Sequence, residues 1–179
     1  MNPLADPIVF ALSLLTVLGQ ILAVKLLVVL IFRNRFLKIK ILKKWIDLLT
    51  QNYISAILVV SAMAAVGSLT LSEVLNFNPC KLCWYQRIFM YPIFGITLIS
   101  LIFNETRIKK FVLGLSIVGI LIAAYHILMQ VFPKAFECSD EVAKCSAVQF
   151  AEFGYITIPV MAFTTFAIII LISLLGREN

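Results

Sequence analysis

The stretch ITIPVMAFTTFAIIILISLL, residues 156–175, contains no charged side chain. A helix rising ~1.5 Å per residue needs about 20 residues to cross ~30 Å of hydrocarbon, and this run supplies them. Four comparable apolar runs precede it, at 7–32, 54–75, 84–103 and 111–132. Inside a bilayer no water bonds the peptide groups, so runs of this length are helices. Composition agrees: the chain is 62% hydrophobic and 13% charged, with a mean hydropathy of +1.04. Soluble domains keep roughly a quarter of their residues charged, so a soluble fold, a disordered chain, a coiled coil and a nucleic-acid binder are all excluded. The predicted fold class is an all-α integral membrane protein. Residues 1–6 carry no positive charge and the first run is too long for a secretory signal, so it is expected to remain as a span.

The basic residues orient the spans. The connection after the first run carries Arg33, Arg35, Lys38, Lys40, Lys43 and Lys44 against Asp47, and the turn before Phe111 carries Arg107, Lys109 and Lys110. Both are expected on the cytoplasmic side. The connection at 76–83 has only Lys81, and at 133–154 Lys134 and Lys144 face Glu137, Asp140, Glu141 and Glu152. These belong outside, which places the N-terminus out and the C-terminus in. Residues 36–51 alternate with a helical period, setting Leu37, Ile41, Trp45, Leu48 and Leu49 on one face and Lys40, Lys43, Lys44, Asp47 and Gln51 on the other. This predicts an amphipathic helix on the cytoplasmic leaflet, held by its apolar side and by anionic lipid headgroups. Residues 1–52 are therefore expected to form an extra transmembrane helix plus this interfacial helix, and residues 53–179 a four-helix transmembrane bundle.

All four cysteines, Cys80, Cys83, Cys138 and Cys145, fall in the two outside connections. That is the compartment where disulfides persist, and an even split suggests two of them. Purely structural bridges are one reading. Against it, Cys80-Lys81-Leu82-Cys83 closes a loop too short to remove much unfolded-state entropy. A CxxC is suited to exchange, because its second thiol resolves any mixed disulfide formed by the first. Pro79 and the following span put the pair at a helix N-terminus, where unpaired N–H groups favour thiolate. Arg87 follows Cys83 by four residues, one turn deeper on the same face, and is placed to stabilise a thiolate or a bound oxygen anion. His126, the only histidine, lies ~9 Å below the outer end of the next span. It is a candidate hydrogen-bond donor or proton relay to an electron acceptor. A zinc site fits less well, because six residues separate Cys138 from Cys145, so no metal is expected.

Cys80-Lys81-Leu82-Cys83 followed by Trp84-Tyr85-Gln86-Arg87 resembles the CxxCxxxR of the DsbB family of quinone-linked disulfide oxidases. His126-Ile127-Leu128-Met129-Gln130-Val131-Phe132-Pro133 is similar to that family's stretch leading to a second cysteine pair. The resemblance covers roughly residues 54–175. It implies a four-helix bundle in the bacterial cytoplasmic (inner) membrane that reoxidises a DsbA-type thioredoxin-fold partner and passes electrons to ubiquinone or menaquinone. It further implies that Cys138 forms the mixed disulfide with the partner and Cys145 resolves it. Electrons then reach Cys80, and Cys83 reacts with the quinone, whose oxygens Arg87 and His126 polarise. Residues 1–51 and a shorter second outside loop depart from the family's usual pattern.

Two other classes compete. Vitamin K epoxide reductase-like proteins also combine a helical bundle, two cysteine pairs and a quinone, but their CxxC is expected late in the bundle, whereas here it comes first. A non-enzymatic membrane subunit with structural disulfides would bind no quinone. The first run contains Gln20 and Lys25 but no thiol, histidine or carboxylate beyond Asp6, so its expected role is structural.

Overall fold

The computed structural model describes residues 5–32, 40–105, 107–132 and 145–176. Every apolar run becomes a helix: α1 at Ala5–Ile31, α3 at Tyr53–Leu69, α4 at Lys81–Phe103, α5 at Lys109–Val131 and α6 at Ile158–Leu175, with α2 at Lys40–Gln51 between the first two. A π-helical turn, Thr70–Val74, continues α3, and with it five helices are long and apolar enough to cross a membrane. No strand occurs among the described residues. The protein is thus an all-helical, multi-pass membrane protein.

Helices α3, α4, α5 and α6 each pack against the next, and α6 returns to α3, closing a four-helix bundle. Helix α1 lies outside this ring, mainly against α6. The core is built from Ile57 on α3, Ile93 on α4, Val112 on α5, and Phe166 and Ile169 on α6, all fully buried. Gly119 on α5 is required here, because a Cβ at that position would come within 2.3 Å of the Phe166 ring. Buried hydroxyls bond carbonyls of their own helix, as in Thr97 to Ile93 and Ser116 to Val112. Such pairing removes the cost of a polar group in hydrocarbon. The outward faces carry exposed Val66, Ile102 and Leu121, a pattern suited to lipid rather than water.

The helix ends follow local chemistry. Asn76 and Asn104, both with φ near +57° (58° and 57°), terminate α3 with its π turn and α4 in the left-handed conformation that asparagine tolerates. At the end of the bundle opposite the cysteines, Lys109 Nζ donates to the Gly176 carbonyl at 2.8 Å, placing a cation on the C-terminus of α6. Helix α2 forms where it is predicted, but it buries Ile46 and Thr50 rather than the whole predicted apolar face: Leu49 is half-buried, and Leu48 is exposed along with Lys44 and Gln51. Its predicted first turn at 36–39 lies outside the described residues.

Candidate active site

Pro79 cannot continue a helix backwards, and Cys80 behind it is extended (φ −74°, ψ 173°), forming the N-cap of α4. Trp84 N–H closes the first turn on the Cys80 carbonyl at 3.1 Å. The CxxC therefore wraps the first turn of α4, and the two sulfurs stand 3.5 Å apart as free thiols, Cys80 donating to Cys83. That hydrogen bond, followed by burial, pushes the Cys80 thiol up to about 11 from its ordinary 9.0, while His126 pulls the other way. Cys80 thus stays protonated through neutral pH.

His126 on α5 is buried. Its Nε2 lies 3.7 Å from Cys80 Sγ and 3.1 Å from the Cys145 carbonyl oxygen, and its Nδ1 lies 3.2 Å from Gln86 Nε2. A carbonyl only accepts, so Nε2 carries the hydrogen and the neutral ring accepts from Gln86 at Nδ1. His126 is therefore oriented toward the cysteines. It does not line the large cavity described below. Gln86 was not singled out from the sequence. Its signal was its polarity within an apolar span, one residue before Arg87.

Cys145 is buried and clusters with Cys80 and Met129, so the segment after residue 144 reaches the CxxC despite its shortness. Gln149 Nε2 donates to the Asn78 carbonyl at 2.8 Å, and the Phe77 and Phe150 rings pack 5.8 Å apart. Thr157 donates to Gln130 Oε1 at 2.9 Å, completing the attachment of this segment to α5. Cys138 lies outside the described residues.

Arg87 is buried, and its guanidinium forks onto one residue of α3: Nε donates to Ser68 Oγ and Nη2 to the Ser68 carbonyl, both at 2.9 Å. The Trp84 ring covers it at 5.2 Å. Ser68 lies two residues before the π turn, a local widening of the helix common at functional sites. Arg87 and Cys83 together line a cavity of about 290 Å³ between α1, α3, α4 and α6. Most of its walls are aliphatic. Tyr91 also lines it, and the buried Tyr91 hydroxyl has no hydrogen-bond partner among the described residues. A small crevice of about 20 Å³ lies on the other side of the pair, lined by Cys80, Cys83, His126 and Gln130. Cys83 borders both spaces, whereas Cys80 borders only the crevice.

Two thiols this close can close into a disulfide and take part in thiol–disulfide exchange. Cys80 Sγ, Cys83 Sγ and one His126 ring nitrogen also lie within 4.8 Å of one another, a spacing that suits exchange chemistry and a thiophilic cation alike.

Comparison with known proteins gives a consistent picture. Residues 50–176 match the family described as disulfide bond formation protein DsbB. Disulfide bond formation protein C of Bacillus subtilis is 43% identical over 115 residues, covering 63% of this chain and 83% of the relative. The SPbeta prophage-derived disulfide bond formation protein B of the same organism is 39% identical over 115 residues, covering 64% and 78%. A probable disulfide formation protein of Oceanobacillus iheyensis is 37% identical over 134 residues, covering 70% and 88%. No solved structure gives a significant match. The family match starts just before α3 and ends just after α6, leaving no part of the four-helix bundle out, and the chain belongs to the DsbB family of membrane disulfide bond formation proteins.

Proposed function

We propose that the protein oxidises a DsbA-type thioredoxin-fold partner outside the cytoplasm and delivers the electrons to a membrane quinone, ubiquinone or menaquinone. The observation that carries this reading is the position of Cys83, which borders an apolar cavity shared with Arg87 on one side and the Cys80–His126 crevice on the other. The donor set fits the ligand class: one cation and one thiol open onto a mostly aliphatic space, matching a polar ring that carries an apolar tail. A quinone seated there supplies an acceptor for two electrons and two protons.

The chain's own residues do the rest. A thiolate of the partner attacks Cys138 in a Cys138–Cys145 disulfide, forming the mixed disulfide and releasing Cys145. Cys145, which packs against Cys80, attacks that sulfur in a Cys80–Cys83 disulfide and releases Cys83 beside the cavity. The partner's second thiolate then closes its own disulfide and frees Cys138. Cys138 in turn re-forms the bond to Cys145 and releases Cys80, so two electrons have moved from the partner to the CxxC. The buried guanidinium of Arg87 favours negative charge at the cavity end, and His126 holds a proton at Nε2 next to Cys80. In this reading the cysteine-bearing connections and the N-terminus face outside and the C-terminus faces the cytoplasm.

The test is stoichiometric. Purified protein in lipid nanodiscs, given a reduced thioredoxin-fold partner and ubiquinone, should form one quinol per partner disulfide, and Cys83→Ser should abolish quinol formation. Partner oxidation that runs equally fast without quinone and without oxygen contradicts the proposal.

A further inference from the structure

Helix α1 lies before the family match, which begins at residue 50, yet it is built into the cysteine-bearing end of the bundle. Val9 shares a buried cluster with Leu71 and Leu75, and the Phe10 ring packs 5.8 Å from Phe153. Further along, Leu12 sits over Gly67, where an added Cβ would come within 3.2 Å of its Cδ2. Gly19 approaches α6 so closely that a Cβ there would lie 3.2 Å from Ile168 and 3.4 Å from Thr164. Gln20 fixes the rotation of the helix: its Oε1 accepts from the Tyr155 hydroxyl at 2.7 Å, and its Nε2 donates to Thr164 Oγ1 at 3.5 Å. A lipid anchor has no need of these paired polar contacts. Lys25, by contrast, is exposed.

The face fixed in this way closes the cavity that holds Cys83 and Arg87. Leu12, Leu15, Thr16, Gly19 and Leu22 all line it. These positions fall on one stripe at intervals of three and four, and from Leu12 to Leu22 the stripe runs ~15 Å along the helix. Ser68, which holds Arg87, neighbours Gly67, over which Leu12 sits, so the upper end of the stripe is level with the guanidinium. The lower end passes Gly19 against Ile168, a stretch with aliphatic walls.

We propose that α1 is a wall of the acceptor site, with Leu12 and Thr16 flanking the quinone ring and Leu15, Gly19 and Leu22 forming a track for its isoprenoid tail. This rests on the quinone reading above and adds to it a residue set from outside the family's shared bundle. Such a wall selects acceptors by tail as well as ring, since a prenylated quinone fills the track and a tail-less ring does not. The span is thus part of the binding site rather than an anchor alone.

The experiment uses the full chain in nanodiscs and a ubiquinone analogue carrying a diazirine on its first isoprenoid unit. After irradiation, mass spectrometry of the digested protein should find label on the segment bearing Leu15, Gly19 and Leu22. Thr16→Trp, which fills the space beside the ring, should remove that label and raise the quinone concentration needed for half-maximal rate by about tenfold. Exchange between the partner and the cysteines should be unchanged. Label confined to α3, α4 and α6, with Thr16→Trp indistinguishable from the parent, overturns the proposal while leaving the quinone reading intact. An unaltered chain that takes no label on any helix and forms no quinol overturns both.

Discussion

Cys83 and Cys80 differ less in sequence than in what surrounds them. Cys80 donates its hydrogen bond to Cys83 and is buried, so its proton is held up to about 11 even though His126 pulls the other way. The sign is clear: below that value Cys80 is mainly thiol, and its nucleophilic form appears only as pH rises. In the reduced protein, alkylation of Cys80 followed by mass spectrometry should therefore show a midpoint near 11, and a midpoint at or below the ordinary 9.0 contradicts the hydrogen-bonded pair. Arg87 makes a second residue-scale claim. Its fork onto Ser68 needs planar, divergent donors that lysine lacks. Arg87→Lys should raise the apparent quinone requirement several-fold and Arg87→Ala more, both with little effect on exchange with the partner. Equal loss in the two half-reactions, measured separately, would mean that Arg87 supports the fold rather than the cavity.

At the scale of elements, the bundle depends on one close approach. A methyl at Gly119 would intrude into the Phe166 ring, so Gly119→Ala should cost ~1–3 kcal/mol by overpacking and lower the thermal midpoint in detergent. Phe166→Leu should recover part of that loss when combined with it, and strict additivity of the two changes would show that the contact is not what limits the site. The spans were legible because bilayer thickness sets their length and apolar runs record it. The start of α4 was less so. The unbroken apolar run begins near Trp84, whereas the helix begins at Lys81, because Pro79 and the extended Cys80 set the boundary and the charge on Lys81 interrupts the apolar pattern. The π turn after Leu69 leaves no mark in the apolar pattern, since one extra residue per turn is neutral in composition. Within the site, the four-residue step from Cys83 to Arg87 was readable as one helical turn. Partners distant in sequence were not: Ser68 meets Arg87 from 19 residues away and Gln86 meets His126 across 40, through packing that no local spacing encodes. The cavity-facing stripe of α1 was not legible for the same reason, because it is chemically ordinary until α3 and α6 are set beside it.

For the whole molecule, the proposed relay makes the cysteine-bearing end a junction between two environments. One side holds Cys80, His126 and the buried Cys145, where thiols exchange, and the other is an apolar space reached through Cys83. The central claim is that both cysteine pairs open and close as electrons pass between these sides. The most direct measurement is to run the protein with excess reduced thioredoxin-fold partner and limiting quinone, quench with acid, and count alkylated thiols on each pair by mass spectrometry. Cys80/Cys83 and Cys138/Cys145 should both be found partly reduced during turnover and should both return to disulfides when quinone is restored. If both pairs remain fully oxidised while the partner's thiols are consumed, the relay does not exist in this protein.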